Sequence, residues 1–287
     1  MSVNVAAAVQ FVEANGRLLD RRRMQHLFQG GPADRVLESL LPFANDDGGF
    51  GSALEPDVRG SQSEPTCALA ALEALAEIER LEHPATASLA AWVDTVADDD
   101  GGVPFVVADT ALHPHGPWMI PSSGGSHLTF GIAGILYGRD LPWVRRGTEW
   151  CWLQLESSQA LDAYSLKFAL AFLDAIPEGG SDGARADTAV EKLSPLIGED
   201  GTVPVSGGTE GEALSLLDVA PRNEGRSRRL FSPEQVSAGL DDLEATQLDD
   251  GGWNFDWLAW SIGQAADWRG RVTLQALLTL RDHHRLP

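Results

Sequence analysis

Apolar residues recur at helical spacing along most of this chain. Four segments are apolar around most of the helix circumference, as is typical of helices packed on both sides: 65–79, 127–138, 160–175 and 271–282. Five others have a clearer polar face: 32–44, 83–97, 142–156, 182–197 and 233–246. Residues 103–107 are the single candidate strand. The alternation predicts an all-α protein with an inner ring of buried helices and an outer ring of amphipathic ones.

A phrase of acid, glycine and apolar residue recurs between these helices. Its copies are 46–50, 99–103, 199–203 and 249–253, so the period is about 50 residues, with one copy missing near position 150. Glycine tolerates positive φ and the acid can bind backbone N–H groups, which favours a structural turn. We expect a single domain over 1–287, an α/α toroid (alpha-alpha barrel) of about five to six helical hairpins, with all four phrases on one end of the ring.

Composition narrows the function classes. The net charge of −21 argues against nucleic-acid binding and against docking on anionic membranes. No run of about 18 apolar residues is present, and the first residues do not read as a secretory signal, so we expect a cytoplasmic protein without a membrane span. Cys67 and Cys151 read as buried small hydrophobes. We expect no cofactor and no metal, and a homodimer stays open.

Two repeats carry a family resemblance. Residues 48–51 and the later run 65–72 resemble a repeat of the protein prenyltransferase β-subunits, and 247–253 is similar to the Gln-Trp repeat of squalene–hopene-type cyclases. Both families are α/α toroids with an apolar cavity, so the resemblance implies an apolar, isoprenoid-type substrate. The Asp-x-Asp-Asp and Asp-Asp-x-x-Asp strings and the Asp-x-Cys zinc setting of these families are absent.

An acid-initiated cyclisation or isomerisation needs a carboxylic acid that stays protonated in an apolar site. Glu55 and Asp57 lie in the long loop before the first buried helix, where like-charge proximity would raise one pKa. These two residues are the predicted catalytic acids. The alternative is a salt bridge that fixes the loop, with Arg59 or Arg269 as the partner.

Residues in two other long loops, and at one helix start, are the predicted substrate-binding set: His115, Trp118, His127, Trp253, Asp256, Trp257 and Arg269. We expect the loops 45–64, 98–126 and 247–267 to converge over one mouth of the cavity, which would bring Glu55 or Asp57 near Trp118, Trp253 or Trp257. Whether His113 and His115 bind a metal stays open, because their spacing matches no standard site.

Two other classes of function remain open. One is a non-catalytic toroid that binds a hydrophobic ligand or a protein partner, favoured by the missing acid motif. The other is a carbohydrate-active α/α toroid, which also uses paired carboxylates and tryptophan platforms. Loops that combine tryptophans with acids favour an enzyme.

Overall fold

A computed structural model of the protein describes residues 3–157, 161–208 and 211–286. Over these ranges the chain forms twelve α-helices and one two-stranded antiparallel sheet. The helices are α1 (Val5–Asn15), α2 (Leu18–Gln29), α3 (Ala33–Leu40), α4 (Pro65–Glu77), α5 (Pro84–Val96), α6 (His127–Ile135), α7 (Val144–Glu156), α8 (Ala163–Ala175), α9 (Gly180–Leu193), α10 (Leu216–Val219), α11 (Pro233–Ala245) and α12 (Ile262–Asp282). The strands are β1 (Val203–Pro204) and β2 (Ala213–Leu214). The all-α prediction is confirmed.

The helix pattern was predicted well in the middle of the chain and less well at its ends. Helices α1, α2 and α10 were not predicted from the sequence. The predicted bounds of the loop 247–267 and of the last helix, 271–282, are also wrong, because α12 begins at Ile262. The side chain of Ser261 caps this helix by accepting a hydrogen bond from the Gln264 backbone N–H.

The candidate strand 103–107 is not a strand. The Val103 N–H donates to the Thr129 hydroxyl, and the Val103 carbonyl accepts from the Ser126 N–H and hydroxyl. The backbone at Val103 is thus satisfied by the start of α6, so the apolar run becomes a loop that docks on a helix end.

The chain divides into two compact units, 40–190 and the combination of 1–39 with 191–287. In the first of these units α4 packs on α6, and α6 packs on α8. Gly131 of α6 permits the close approach, because a Cβ atom there would lie 2.9 Å from Phe168 Cδ1 and 3.0 Å from Leu69 Cδ1. Three of the four helices predicted as the most buried therefore form a contiguous core.

In the second unit the two ends of the chain pack together. Helix α1 lies against α12, and α2 contacts both. The Gln247 side chain adds polar contacts at this junction: its Oε1 accepts from the Asn4 N–H at 2.8 Å, and its Nε2 donates to the Asn4 carbonyl at 3.0 Å. That all of 1–287 forms one domain stays a prediction.

The four acid-Gly phrases adopt one and the same turn. The first glycine has positive φ, between 81° and 95°, at Gly48, Gly101, Gly201 and Gly251. Each of these N–H groups donates to the carbonyl three residues earlier. The preceding aspartate Oδ1 accepts from the N–H two residues ahead, at 2.9–3.1 Å. The predicted bonds from acid to backbone are confirmed, and their shared position on one end of the ring stays a prediction.

Candidate functional site

Two of the three long loops meet in the unit 40–190. Val58 forms a β-bridge with His115, the Arg59 N–H donates to the Pro114 carbonyl, and the Gly116 N–H donates to the Asp57 carbonyl. Beneath these bonds Val58, Val106 and Met119 form a buried apolar cluster, against which Phe105 and Trp118 pack. The loops 45–64 and 98–126 therefore converge as predicted. The loop 247–267 belongs to the other unit, and its place over the same mouth stays a prediction.

Glu55 and Asp57 are both buried beside the start of α4. Their relative solvent exposure is 8% for Glu55 and 4% for Asp57, and carboxylates are seldom so buried. The residues just before them, Ser52 and Ala53, have left-handed φ values of 56° and 63°. A non-glycine residue in this region costs of the order of 1–3 kcal/mol and is found most often at functional sites. The loop is therefore built around these acids at a cost in backbone strain.

A third buried carboxylate, Glu64, is the residue directly before α4 and was missed by the sequence analysis. Its residue exposure is 0%. Its Oε1 accepts from the Thr110 hydroxyl at 2.6 Å and the Gln62 amide at 2.8 Å, and its Oε2 accepts from the Val107 N–H at 3.2 Å. Burial nevertheless raises the pKa of Glu64, since desolvation outweighs these bonds and the nearby His113 charge.

Cys67 links two of the acids. Its Sγ accepts from the Glu55 N–H at 3.4 Å. Burial, together with smaller effects of the nearby Glu55 and Glu64 charges, raises the pKa of the Cys67 thiol to about 12. Glu55 and Glu64 thus both act electrostatically on the same buried thiol, and the pairing of Glu55 with Asp57 stays a prediction.

An aromatic cluster lies at the starts of α6 and α8. The His127 ring is stacked on Phe168, with centroids 5.2 Å apart and an interplanar angle of 14°. Phe105 and Tyr164 lie 5.0 and 5.8 Å from the same imidazole. All four side chains are only partly buried, whereas Phe130 and Phe172 behind them are fully buried. We call Phe105, His127, Tyr164 and Phe168 the aromatic cluster.

His127 is held neutral within this cluster. Burial lowers the pKa of His127 to about 4, the Asp162 carboxylate opposes this shift, and the Lys167 ammonium adds to it. Among the residues that the structure describes, no polar group forms a hydrogen bond with either ring nitrogen. At neutral pH the imidazole therefore has one N–H and one lone pair, and within the described residues neither has a hydrogen-bond partner.

The acid and the aromatic cluster belong to the same ends of neighbouring helices. Glu64 directly precedes α4, His127 is the first residue of α6, and Tyr164 is the second residue of α8. The loop that leads into α6 joins them, because its Phe105 contacts His127 while its Val107 and Thr110 bind Glu64. One loop therefore contacts both the buried Glu64 carboxyl group and the partly exposed aromatic cluster.

The other predicted residues of this unit lie further out. Trp118 is half-buried against the Val58 cluster. His115 Nδ1 lies 2.6 Å from the His113 carbonyl oxygen, so this ring fixes the Pro-rich loop. Within the described part of the chain, no group of three or more His, Cys, Asp or Glu side chains is arranged to hold a metal ion.

In the other unit, Trp253 and Arg269 are tied into the last acid-Gly turn. Trp253 is 2% exposed, and its indole N–H donates to the Leu243 carbonyl at 2.8 Å. The Arg269 guanidinium binds both oxygens of Asp250, at 2.9 and 3.0 Å, and lies 4.4 Å from the Phe11 ring centroid. Hydrogen bonding to Arg269 lowers the pKa of Asp250. These contacts indicate a structural role for both residues.

Trp257 and Asp256 are more accessible than Trp253. Trp257 lies 4.8 Å from Phe255 and 4.9 Å, edge to face, from Trp268, and all three rings are partly exposed. Asp256 is exposed, and partial desolvation raises its pKa, with smaller effects from the charges of Asp218 and Glu212. Trp257 and Asp256 therefore form a second surface that combines an aromatic ring with a carboxylate.

No protein-family model and no curated protein matches the sequence. Solved structures do match, and they show a terpenoid-cyclase-like α/α toroid fold. The type II terpene cyclase MstE from Scytonema superposes with a TM-score of 0.61 at 13% identity, over 96% of this chain and 97% of that chain. An MstE variant bound to its substrate, geranylgeranyl dihydroxybenzoate, gives 0.62 at 12% identity, over 97% of both chains. A protein from Actinoplanes gives 0.60 at 18% identity, over 98% of both.

The comparisons confirm the predicted fold class, and identities this low show the fold alone. None of the helices described is long and apolar enough to cross a membrane. The residues that sequence reasoning missed are Glu64, Phe105, Tyr164 and Phe168. For Glu64 and Tyr164 the available signal was their position at or just before the start of a buried helix, whereas Phe105 lies in the long loop before α6 and Phe168 within α8.

Proposed function

We propose that the protein binds an apolar, isoprenoid-type substrate on the aromatic cluster and converts it by acid-initiated cyclisation or isomerisation, with Glu64 as the acid. One observation carries this proposal: the loop that leads into α6 contacts both the buried Glu64 carboxyl group, whose pKa is raised, and the partly exposed aromatic cluster. The fold supports it, because MstE, a type II terpene cyclase, takes a geranylgeranyl substrate.

Glu64 fits the role of the acid because burial favours its protonated form. Proton donation to an alkene or epoxide needs a carboxyl group that keeps its proton near neutral pH. The Glu64 Oε1 already accepts two short hydrogen bonds, while Oε2 accepts one bond at 3.2 Å. We therefore assign the proton of the Glu64 carboxyl group to Oε2.

The aromatic cluster fits the carbocation stage of the reaction, which follows protonation of the substrate. A carbocation is stabilised by the faces of aromatic rings, and a hydrocarbon chain is desolvated against them. Phe105, Tyr164 and Phe168 offer such faces on three sides of His127.

Glu55 and Asp57 are the alternative acids in this proposal. Both are buried in the loop that reaches the start of α4, and Glu55 shares Cys67 with Glu64. Trp118 extends the apolar wall, and His115 orders its loop. Trp257 and Asp256 remain proposed substrate-binding residues of the other unit.

The second candidate function is a binder without catalysis. It is favoured by the hydrogen bonds to both oxygens of Glu64, because such bonds also suit a structural role in which Glu64 holds the loop 103–112 at the start of α4. In that case the aromatic cluster binds an apolar ligand and nothing is converted.

The test uses geranylgeranyl dihydroxybenzoate, geranylgeraniol and squalene as probes. Binding is followed by tryptophan fluorescence, and conversion by chromatography with mass detection, since cyclisation and isomerisation leave the mass unchanged. Glu64→Gln keeps the size and one oxygen that can accept from Thr110 and Gln62, but its amide nitrogen cannot accept from the Val107 N–H and it has no acid proton to donate. Glu191→Gln, at an exposed position of α9, is the matched control.

We expect Glu64→Gln to fold, to bind the probe, and to lose conversion by at least about 100-fold, the typical range for a general acid. Glu191→Gln should keep full conversion. Loss confined to Glu55→Gln or Asp57→Asn would transfer the role to that residue. Binding without conversion by the wild type would establish the second candidate, and absence of both would refute the proposed function.

A further inference from the structure

His127 has a feature that the initiating acid does not explain. Its imidazole is at the centre of the aromatic cluster, yet over the described ranges of the chain neither ring nitrogen has a hydrogen-bond partner. A partly buried histidine normally satisfies at least one nitrogen, because an unpaired polar group in an apolar place costs about 1–3 kcal/mol. The ring is in contact with Phe168, Phe105 and Tyr164, and it is partly buried.

The geometry points to His127 as the base that ends the reaction by removing a proton from the final carbocation. This inference rests on the proposed function. A cation held against Phe105, Tyr164 and Phe168 lies against the one side chain of the cluster that has an unshared lone pair on nitrogen. The neighbouring ionisable groups are less suited, since the Lys167 side-chain nitrogen lies over the Phe168 ring, 5.9 Å from its centroid, and the Asp162 carboxylate is committed to capping α8.

The step balances without any other reagent. A C–H bond next to the cationic carbon breaks, its electron pair becomes the π bond of the product alkene, and the proton forms an N–H bond on His127. The resulting imidazolium gives its proton to water, because burial lowers the pKa of His127 to about 4. Glu64 regains a proton from water, so the cycle consumes and releases none overall.

The first arm of the test examines the product. His127→Phe keeps the ring stack and removes the lone pair, while His284→Asn at an exposed position is the control. We expect His127→Phe to consume substrate at a rate within a few-fold of the wild type. Its products should shift from the wild-type alkene to water-captured alcohols, which are heavier by one water, or to other alkenes. An unchanged product pattern would overturn the inference.

The second arm does not depend on turnover. Dimethyldodecylamine, protonated at neutral pH, can donate one N–H to a free lone pair, whereas dodecyltrimethylammonium has none to donate. We expect the wild type to bind the tertiary amine roughly tenfold more tightly than the quaternary one, as a charge-assisted hydrogen bond predicts. The preference should vanish in His127→Phe.

The two arms separate the failures. If the wild type converts no probe but prefers the tertiary amine, the proposed reaction fails while the lone pair still faces the ligand site. If the wild type converts a probe and shows no preference between the amines, the lone pair does not face the site and His127 is not the base. A preference for the tertiary amine that is the same in His127→Phe as in the wild type would also show that His127 is not the base.

Discussion

The acid-Gly turns allow a steric experiment in which the chain supplies its own control. Gly251 and Gly201 occupy the same position of the same turn, in the same unit, with φ of 90° and 81°. They differ in what a side chain would meet. A Cβ atom on Gly251 would lie 2.4 Å from the Ala7 carbonyl carbon and oxygen, whereas one on Gly201 would meet Leu216 Cδ2 at 3.5 Å, an ordinary contact.

The expected cost follows from these distances. Alanine in the left-handed region costs about 1–2 kcal/mol, and the reduced freedom of the unfolded chain returns about 0.4–1 kcal/mol. Gly201→Ala should therefore lose about 1 kcal/mol. Gly251→Ala has the same backbone cost and also pushes on the backbone of α1, for which overpacking adds about 1–3 kcal/mol. Its loss should reach about 2–4 kcal/mol.

The free energy of unfolding is measured by urea denaturation with tryptophan fluorescence, on both variants and the wild type. Equal slopes against urea concentration would show that the midpoints report stability alone. Gly138→Ala, where φ is 75° and nothing lies within 4 Å, is a further strain-only control in the other unit. Equal losses for Gly251→Ala and Gly201→Ala would refute the reasoning, because they would mean that the turn does not press on α1.

Three further predictions concern the site. Because burial raises the pKa of Glu64, its ionisation costs stability as the pH rises above the unfolded-state pKa of about 4.3, so the stability of the wild type relative to Glu64→Gln should fall as the pH rises above about 4; a difference independent of pH in urea titrations would contradict this. Ala53→Gly relieves a φ of 63° and should raise the free energy of unfolding by about 0.5–1 kcal/mol, and a destabilised variant would show that the loop is unstrained. Cys67 and Cys151 are buried with raised pKa values, so a thiol reagent at pH 8 should label neither in the folded protein and both in urea; rapid labelling of native protein would show that the core opens.

The sequence alone determined the parts of this protein that depend on local order. Helical spacing of apolar residues predicted α3 to α9 and α11, because a helix face is set by residues three and four apart. The repeated acid-Gly phrase predicted one turn used four times, since positive φ and the bond from aspartate to backbone are properties of a few adjacent residues. Ser232 and Pro233 likewise determine the start of α11.

The hydrogen-bond partners of Glu64 come from a distant part of the chain. They include Val107 and Thr110, more than forty residues away. The pairing of Glu55 with Asp57, two residues apart, stays a prediction. Nothing near Glu64 in the sequence indicates that its carboxyl group is buried.

Only the tertiary structure assembled the candidate site. The pKa of Glu64 depends on how much water the folded loops exclude, and the neutral state of His127 depends on rings contributed by a loop and by another helix. The junction of α1 with α12 likewise joins the two ends of the chain. Burial and long-range contact are sums over residues distant in sequence, so no local pattern contains them.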